Sequence, residues 1–134
     1  MASLDTLFEA ARAIQAKAYA PYSRFKVGAA IATPSGQLFI GCNVENAAYP
    51  VGSCAEAGAI SAMIAAGESR IAEIVVMGEG EHLVTPCGGC RQRIREFATP
   101  DTPIHIAGPE GIRKRFTLDE LLPFSFGPDN LTDR

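Results

Sequence analysis

A chain of 134 residues with 47% hydrophobic and 20% charged side chains has the size of one domain and enough apolar material for a real core, which excludes a disordered protein. Twelve Lys plus Arg against fifteen Asp plus Glu leave a formal charge of −3, so no polyanion-binding surface is implied. The longest apolar stretch, Ala57 to Ala66, is about half of a bilayer span, and the opening MASLDTLFEAARA carries acids where a secretory leader would be basic. The expectation is a soluble cytoplasmic protein with neither membrane nor nucleic acid as partner.

Residues 4–19 place Leu4, Leu7, Phe8, Ala11, Ile14 and Ala18 near one helical face, with Ser3 as cap, Asp5 in the first turn and Pro21 as stop. Lys26 to Thr33 and Gln37 to Cys42 read as strands of a hairpin turning at Pro34-Ser35-Gly36. Asn43 to Ser53 is a loop. Ala55 to Ala66, ended by Gly67, is apolar almost all round and predicts a central buried helix. Gly58 within it suits close packing.

Ile74 to Met77 and Ile104 to Ala107 are short, unalternating runs of the kind found in strands covered on both faces. Gly88 to Phe97 predicts a helix stopped before Pro100, and Leu118 to Leu122 a short helical turn. Gly127 to Arg134 reads as a loose C-terminal tail after a single domain spanning 1–126. The order α-β-β-α-β-α-β predicts an α/β fold with a mixed sheet sandwiched by helices.

The chemistry lies in the cysteines. Cys54, Cys87 and Cys90 each fall just before or at the start of a predicted helix, where free N–H groups and the positive dipole end stabilise thiolate. Three thiolates from two helix starts can hold zinc on three sides of a tetrahedron and leave a fourth position for water. Glu56, two residues after Cys54, is placed to take that water's proton and return it to a substrate nitrogen. Cys54-Ala55-Glu56 followed by Pro86-Cys87-Gly88-Gly89-Cys90 matches the zinc-deaminase pattern of His or Cys-x-Glu with Pro-Cys-x-x-Cys. Cys42 reads as a buried thiol at a strand end, His82 as a loop residue and His105 as strand packing. The arginines 93 and 95 and the run Arg113-Lys114-Arg115 read as solvated faces.

With these motifs, with Ala20-Pro21-Tyr22-Ser23-Arg24-Phe25-Lys26-Val27-Gly28-Ala29-Ala30, and with Gly41-Cys42-Asn43-Val44-Glu45-Asn46-Ala47-Ala48-Tyr49, the chain resembles the small homotetrameric cytidine deaminases from about Leu4 to Phe126. The resemblance implies a three-layer α/β/α sandwich on a mixed five-stranded sheet, with one zinc per subunit. It also implies hydrolytic deamination of cytidine and 2′-deoxycytidine. It assigns the metal to Cys54, Cys87 and Cys90 and proton transfer to Glu56. Asn43 and Glu45 would hold the ribose hydroxyls, Phe25 would line the base pocket, and Ala55 would read the cytosine edge. Tyr49 would lie near a subunit junction, and Phe126, from Leu121-Leu122-Pro123-Phe124-Ser125-Phe126, would enter a neighbour's site.

The chain departs from that family at one place. Many three-cysteine members carry Arg directly after the catalytic Glu, where it offsets thiolate charge; Ala57 stands there. Arg91 matches a second family Arg that contacts a ligand sulfur, so Arg91 and the two helix N-termini are expected to balance the charge. Two alternatives stand beside this reading: a related zinc deaminase acting on a nucleoside antibiotic or on RNA, and a non-enzymatic zinc module, which would want a fourth protein ligand.

Overall fold

The computed structural model describes residues 3–132. Helix α1 (Leu4–Gln15) starts where Ser3 Oγ accepts the Thr6 N–H at 3.1 Å, and it buries Leu7 and Ala11. It ends before the expected residue 19. Lys17 and Ala18 give their N–H groups to Ile14 and Gln15, tightening the last turn, and the Tyr19 N–H is given to the Asn43 carbonyl at 3.0 Å.

Strands β1 (Gly28–Ala32) and β2 (Leu38–Cys42) form the predicted hairpin, with Gly36 at φ 89° in its turn. The first strand is shorter than Lys26 to Thr33 because the Asn43 side chain takes the Val27 N–H at 2.9 Å in place of a strand partner. After the loop come α2 (Ala55–Ala65), β3 (Glu73–Met77), α3 (Gly88–Phe97) and β4 (Pro103–Gly108). Then β5 (Gly111–Thr117) runs into α4 (Leu118–Leu121), whose Thr117 and Glu120 cap each other reciprocally.

The sheet order is β2-β1-β3-β4-β5, with β3 and β4 parallel and the other neighbours antiparallel. Helix α3 makes the crossover that a parallel pair requires. Alternate residues of the central strands point to opposite faces. Ala30, Val75 and Met77 pack with Leu7 and Ala11 of α1, while Ala29, Ile74, Val76, Ile104 and Ile106 pack with Ala59 and Met63 of α2 and Ile94 of α3. This is the expected α/β/α sandwich on a mixed five-stranded sheet.

Reading residue by residue missed β5. Its Arg113, Lys114 and Arg115 are an edge strand rather than a featureless charged run, and charged side chains on an edge discourage pairing with other chains. His105 is buried as expected, with Nε2 2.8 Å from Glu73 Oε2. The tail is not loose: α5 (Pro128–Thr132) is fastened to α3, where Arg95 Nη2 lies 2.9 Å from Asp129 Oδ1. Residues 133 and 134 of the expected tail lie outside the described residues. Helix α2 is also not buried all round. Ala55, Glu56, Ala59, Ile60 and Met63 face inward, while Ile64 is 45% exposed on the other side.

The depth of α2 is set by a backbone contact. A Cβ on Gly41 would fall 2.3 Å from the Ala55 carbonyl oxygen and 2.4 Å from the Ala59 nitrogen, and Gly58 faces the same spot. Only glycine lets β2 approach the helix that carries Glu56 this closely. Gly41→Ala is therefore expected to destabilise the chain by at least about 1–3 kcal/mol, the usual cost of overpacking, read as a drop in urea midpoint. An unchanged midpoint would show that α2 can move away freely. Among the described residues no helix is long and apolar enough to cross a membrane.

Candidate active site

The three sulfurs meet because two helix starts point at one another. Cys54 is the N-cap of α2 and Cys87 the N-cap of α3, both extended, while Cys90 lies one turn into α3. Their Sγ atoms all lie within 4.8 Å of one another. Zn–S bonds of about 2.3 Å in a tetrahedron put sulfurs roughly 3.8 Å apart, so a small contraction closes the set on zinc. No fourth His, Cys, Asp or Glu joins the group among the described residues. The donor set fits a thiophilic dication with one open position.

Burial governs the electrostatics. It pushes the Cys54 and Cys90 thiols above their ordinary range, while the Cys90 backbone N–H, followed by other donors around it, holds the Cys87 thiol below. Glu56, in the first turn of α2, is only 4% exposed, and burial raises its carboxyl above the usual carboxylate range. A buried acid beside three sulfurs suits a group that must both take and give a proton.

Two cavities adjoin through Asn43 and Cys54. The smaller, about 210 Å³, is lined by Ala55, Glu56, Thr85 and Cys87. The larger, about 480 Å³, is lined by Tyr22, Ser23, Glu45, Tyr49 and Ser53. That volume lies within the usual range for small-molecule sites, about 300–1,000 Å³. Glu45 accepts from the N–H groups of Tyr22 and Ser23 at 2.9 and 3.0 Å and from the Ser23 hydroxyl, and that hydroxyl is the main cause holding its carboxyl below the ordinary range. Asn43 bridges the strand approach, accepting from the Val27 N–H and donating to the Phe25 carbonyl at 2.8 Å. The Tyr49 and Tyr22 rings lie 6.0 Å apart, centroid to centroid.

The structure therefore brings Cys54, Cys87, Glu56, Ala55, Asn43, Glu45 and Tyr49 onto two adjoining cavities, with Cys90 buried behind them in the sulfur cluster. Phe25 and Phe126 line neither cavity, and Phe126 is 59% exposed. Ser23, which holds Glu45 in place, was missed; a hydroxyl near an acid in space leaves no signal in spacing.

The expectation for Arg91 needs correction. Its three donor nitrogens reach the Pro86 carbonyl (2.7 Å), the Leu121 carbonyl (2.7 Å) and Thr85 Oγ1 (2.9 Å), bracing the turn before Cys87 without touching a sulfur. These oxygens occupy all three of its nitrogens. Arg93 is exposed, as read from sequence, yet its Nη1 lies 3.5 Å from Cys90 Sγ. The signal was present, since residues 87, 90 and 93 recur at the spacing that shares a helix face.

Residues 1–106 match the family described as the cytidine and deoxycytidylate deaminase zinc-binding region. A cytidine deaminase of Halalkalibacterium halodurans is 38% identical over 123 residues, 90% of this chain and 93% of its own. One from Mycobacterium tuberculosis is 38% identical over 116 residues, 87% of this chain and 84% of its own. The fold is similar to the crystal structure of cytidine deaminase from Burkholderia pseudomallei, with a TM-score of 0.88 at 42% identity, covering 93% of this chain and all of that one.

Proposed function

The chain belongs to the cytidine and deoxycytidylate deaminase family, and from that premise we propose that it hydrolyses free cytidine and 2′-deoxycytidine to uridine and 2′-deoxyuridine, releasing ammonia. The observation that carries this reading is the buried Glu56 beside a cluster of three sulfurs with one corner open. Residues 1–126 are the catalytic domain, and 127–134 the tail.

Cys54, Cys87 and Cys90 would hold one zinc ion. When bound, zinc supplies Lewis-acid activation that makes a water nucleophilic near neutral pH. The rest falls to the chain's own groups. Glu56 takes one proton from the water that adds to C4 and delivers it to N3, then carries the proton of the new C4 hydroxyl to the amine, so that the C4–N bond breaks, the C4 carbonyl forms and ammonia leaves. Ala55 and its neighbours read the base edge, while Phe25, whose ring lines neither cavity, joins the site through its carbonyl, which accepts from Asn43. Asn43 and Glu45 take the ribose hydroxyls; Glu45 is ionised and already oriented by Ser23, which suits it to accept from a hydroxyl.

The active form is a homotetramer with sites at subunit junctions, in the cytoplasm, where thiolate ligands stay reduced. Exposed apolar side chains support the assembly: Ile64 on the outer side of α2, Tyr49 at the cavity mouth (76% exposed), and Phe124 and Phe126 near the C-terminus. Exposed apolar surface marks interaction sites where it is contiguous. Phe126 would complete a neighbour's pocket.

Metal content together with a spectrophotometric assay on cytidine, 2′-deoxycytidine and an RNA oligonucleotide tests the reading. About one zinc per chain and turnover of the free nucleosides are expected. Zinc without turnover would leave a metal module, and turnover of RNA alone would move the substrate class. Deleting residues from Pro123 onward should raise KM or dissociate the assembly; a fully active monomer in a sizing experiment would overturn the shared sites.

A further inference from the structure

We propose that Arg93 is the cation that balances the thiolate charge of the metal site, acting through Cys90 rather than on the substrate. The inference rests on the reading of Cys54, Cys87 and Cys90 as zinc ligands. Three thiolates and the Glu56 carboxylate bring four negative charges to a site where a zinc ion supplies two positive ones. Part of the excess is shielded from water: Cys90 and Glu56 are buried, while Cys54 is half-buried and Cys87 exposed. Arg93 itself is exposed, but its partner sulfur is buried, so the contact is screened by water from one side only.

The structure narrows the choice to one residue. Helix α2, which contributes Cys54 and Glu56, carries neither Lys nor Arg, so from that side only the helix dipole is available. Helix α3 carries three arginines. Arg91 is held by the Pro86 and Leu121 carbonyls and Thr85. Arg95 is held by the Ser125 hydroxyl and Asp129. Arg93, one turn after Cys90, makes a single hydrogen bond among the described residues, from Nη1 to Cys90 Sγ at 3.5 Å. Gly89, between the two ligand cysteines, lies beside it: a Cβ there would sit 3.4 Å from the same Nη1, an ordinary contact.

Donation from a guanidinium draws electron density off the sulfur. Cys90 then gives less charge to the metal, the loaded site is stabilised against its net negative charge, and the metal stays the stronger Lewis acid. Arg93 is a positioning residue in this scheme. It touches neither substrate nor the reacting atoms.

The test compares the parent with Arg93→Gln and Arg93→Lys as zinc-loaded chains in competition with a chelator, and again after cobalt substitution. Arg93→Gln should lose about 10–100-fold in zinc affinity, the range for partners of metal ligands. Its sulfur-to-cobalt charge-transfer band should move to lower energy, because sulfur electrons freed of the cation are more easily released. Arg93→Lys should recover most of both. In turnover, kcat should fall in Arg93→Gln with KM little changed. The metal-free urea midpoint should be the same in all three, which a merely structural arginine would not allow. Parent-like affinity and an unmoved band in Arg93→Gln would overturn the proposal, as would Arg93→Lys behaving like Arg93→Gln. Failure of the metal reading itself would show separately, in a parent chain with no charge-transfer band.

Discussion

Glu56→Ala is expected to keep about one zinc per chain and lose turnover by at least about 10²–10⁴-fold, the span typical of general acid–base groups. The loss should lie at the upper end, because one carboxylate serves both the attacking water and the leaving amine. Zinc should stay because the three sulfurs come from the caps and first turn of α2 and α3, and Glu56 is outside their set. The sign of the stability effect separates the roles further. Burial raises the Glu56 carboxyl above its unfolded value of 4.5, so the folded metal-free chain holds that proton more tightly than the unfolded one. Its stability therefore falls as pH rises from about 4.5 through the raised value. The isosteric Glu56→Gln removes that penalty, and at neutral pH its metal-free urea midpoint should be no lower than the parent's. Loss of zinc from Glu56→Ala would make Glu56 a ligand and overturn its role as proton carrier.

Much of this site was legible because its chemistry is local. A cysteine that caps a helix, an acid two residues later, and a second cysteine pair one turn apart are each short-range patterns, and helix periodicity places them without knowledge of the sheet. The start of α2 at Ala55 and the bounds of α3 at Gly88 and Phe97 follow from the same signals. What escaped depends on neighbours distant in sequence. Strand β5 carries Arg113, Lys114 and Arg115 on an edge, so its pairing with β4 outweighs a composition that reads as exposed loop. Helix α1 stops at Gln15 because Asn43, far along the chain, claims the Tyr19 N–H.

The exchange of roles we propose between Arg91 and Arg93 has the same origin. Spacing places both near the cysteines, but the orientation of Arg91 is decided by the carbonyls of Pro86 and Leu121, which only the folded chain brings together. Helix α2 shows the converse. Its all-round apolar sequence called for burial on every side, and one chain supplies only part of it. In the tetramer we propose, the remaining cover comes from other subunits.

Cys90→Ala should abolish stoichiometric zinc and with it turnover, an effect larger than the roughly 10–100-fold that loss of a ligand's partner costs. Cys90 is the most enclosed of the three sulfurs, fully buried on α3, and burial opposes its ionisation unless a cation shares the site. Replacing it leaves two thiolates, which cannot hold zinc against water as three do, while the metal-free fold loses a sulfur that neighbours Cys54, Cys87 and Arg93. The consequence reaches stability. A ligand that binds only the folded chain adds about 2.7 kcal/mol when present at 100 times its Kd. The parent's urea midpoint should therefore rise on adding zinc to the stripped chain, and that of Cys90→Ala should stay where it was. Cys42→Ala is the control: its thiol ends β2 and lies outside the sulfur cluster, so zinc content, the zinc-dependent rise and turnover should all survive. If Cys90→Ala kept one zinc and the same rise, the metal would have to be held elsewhere, and neither Glu56 nor Arg93 would be working beside it.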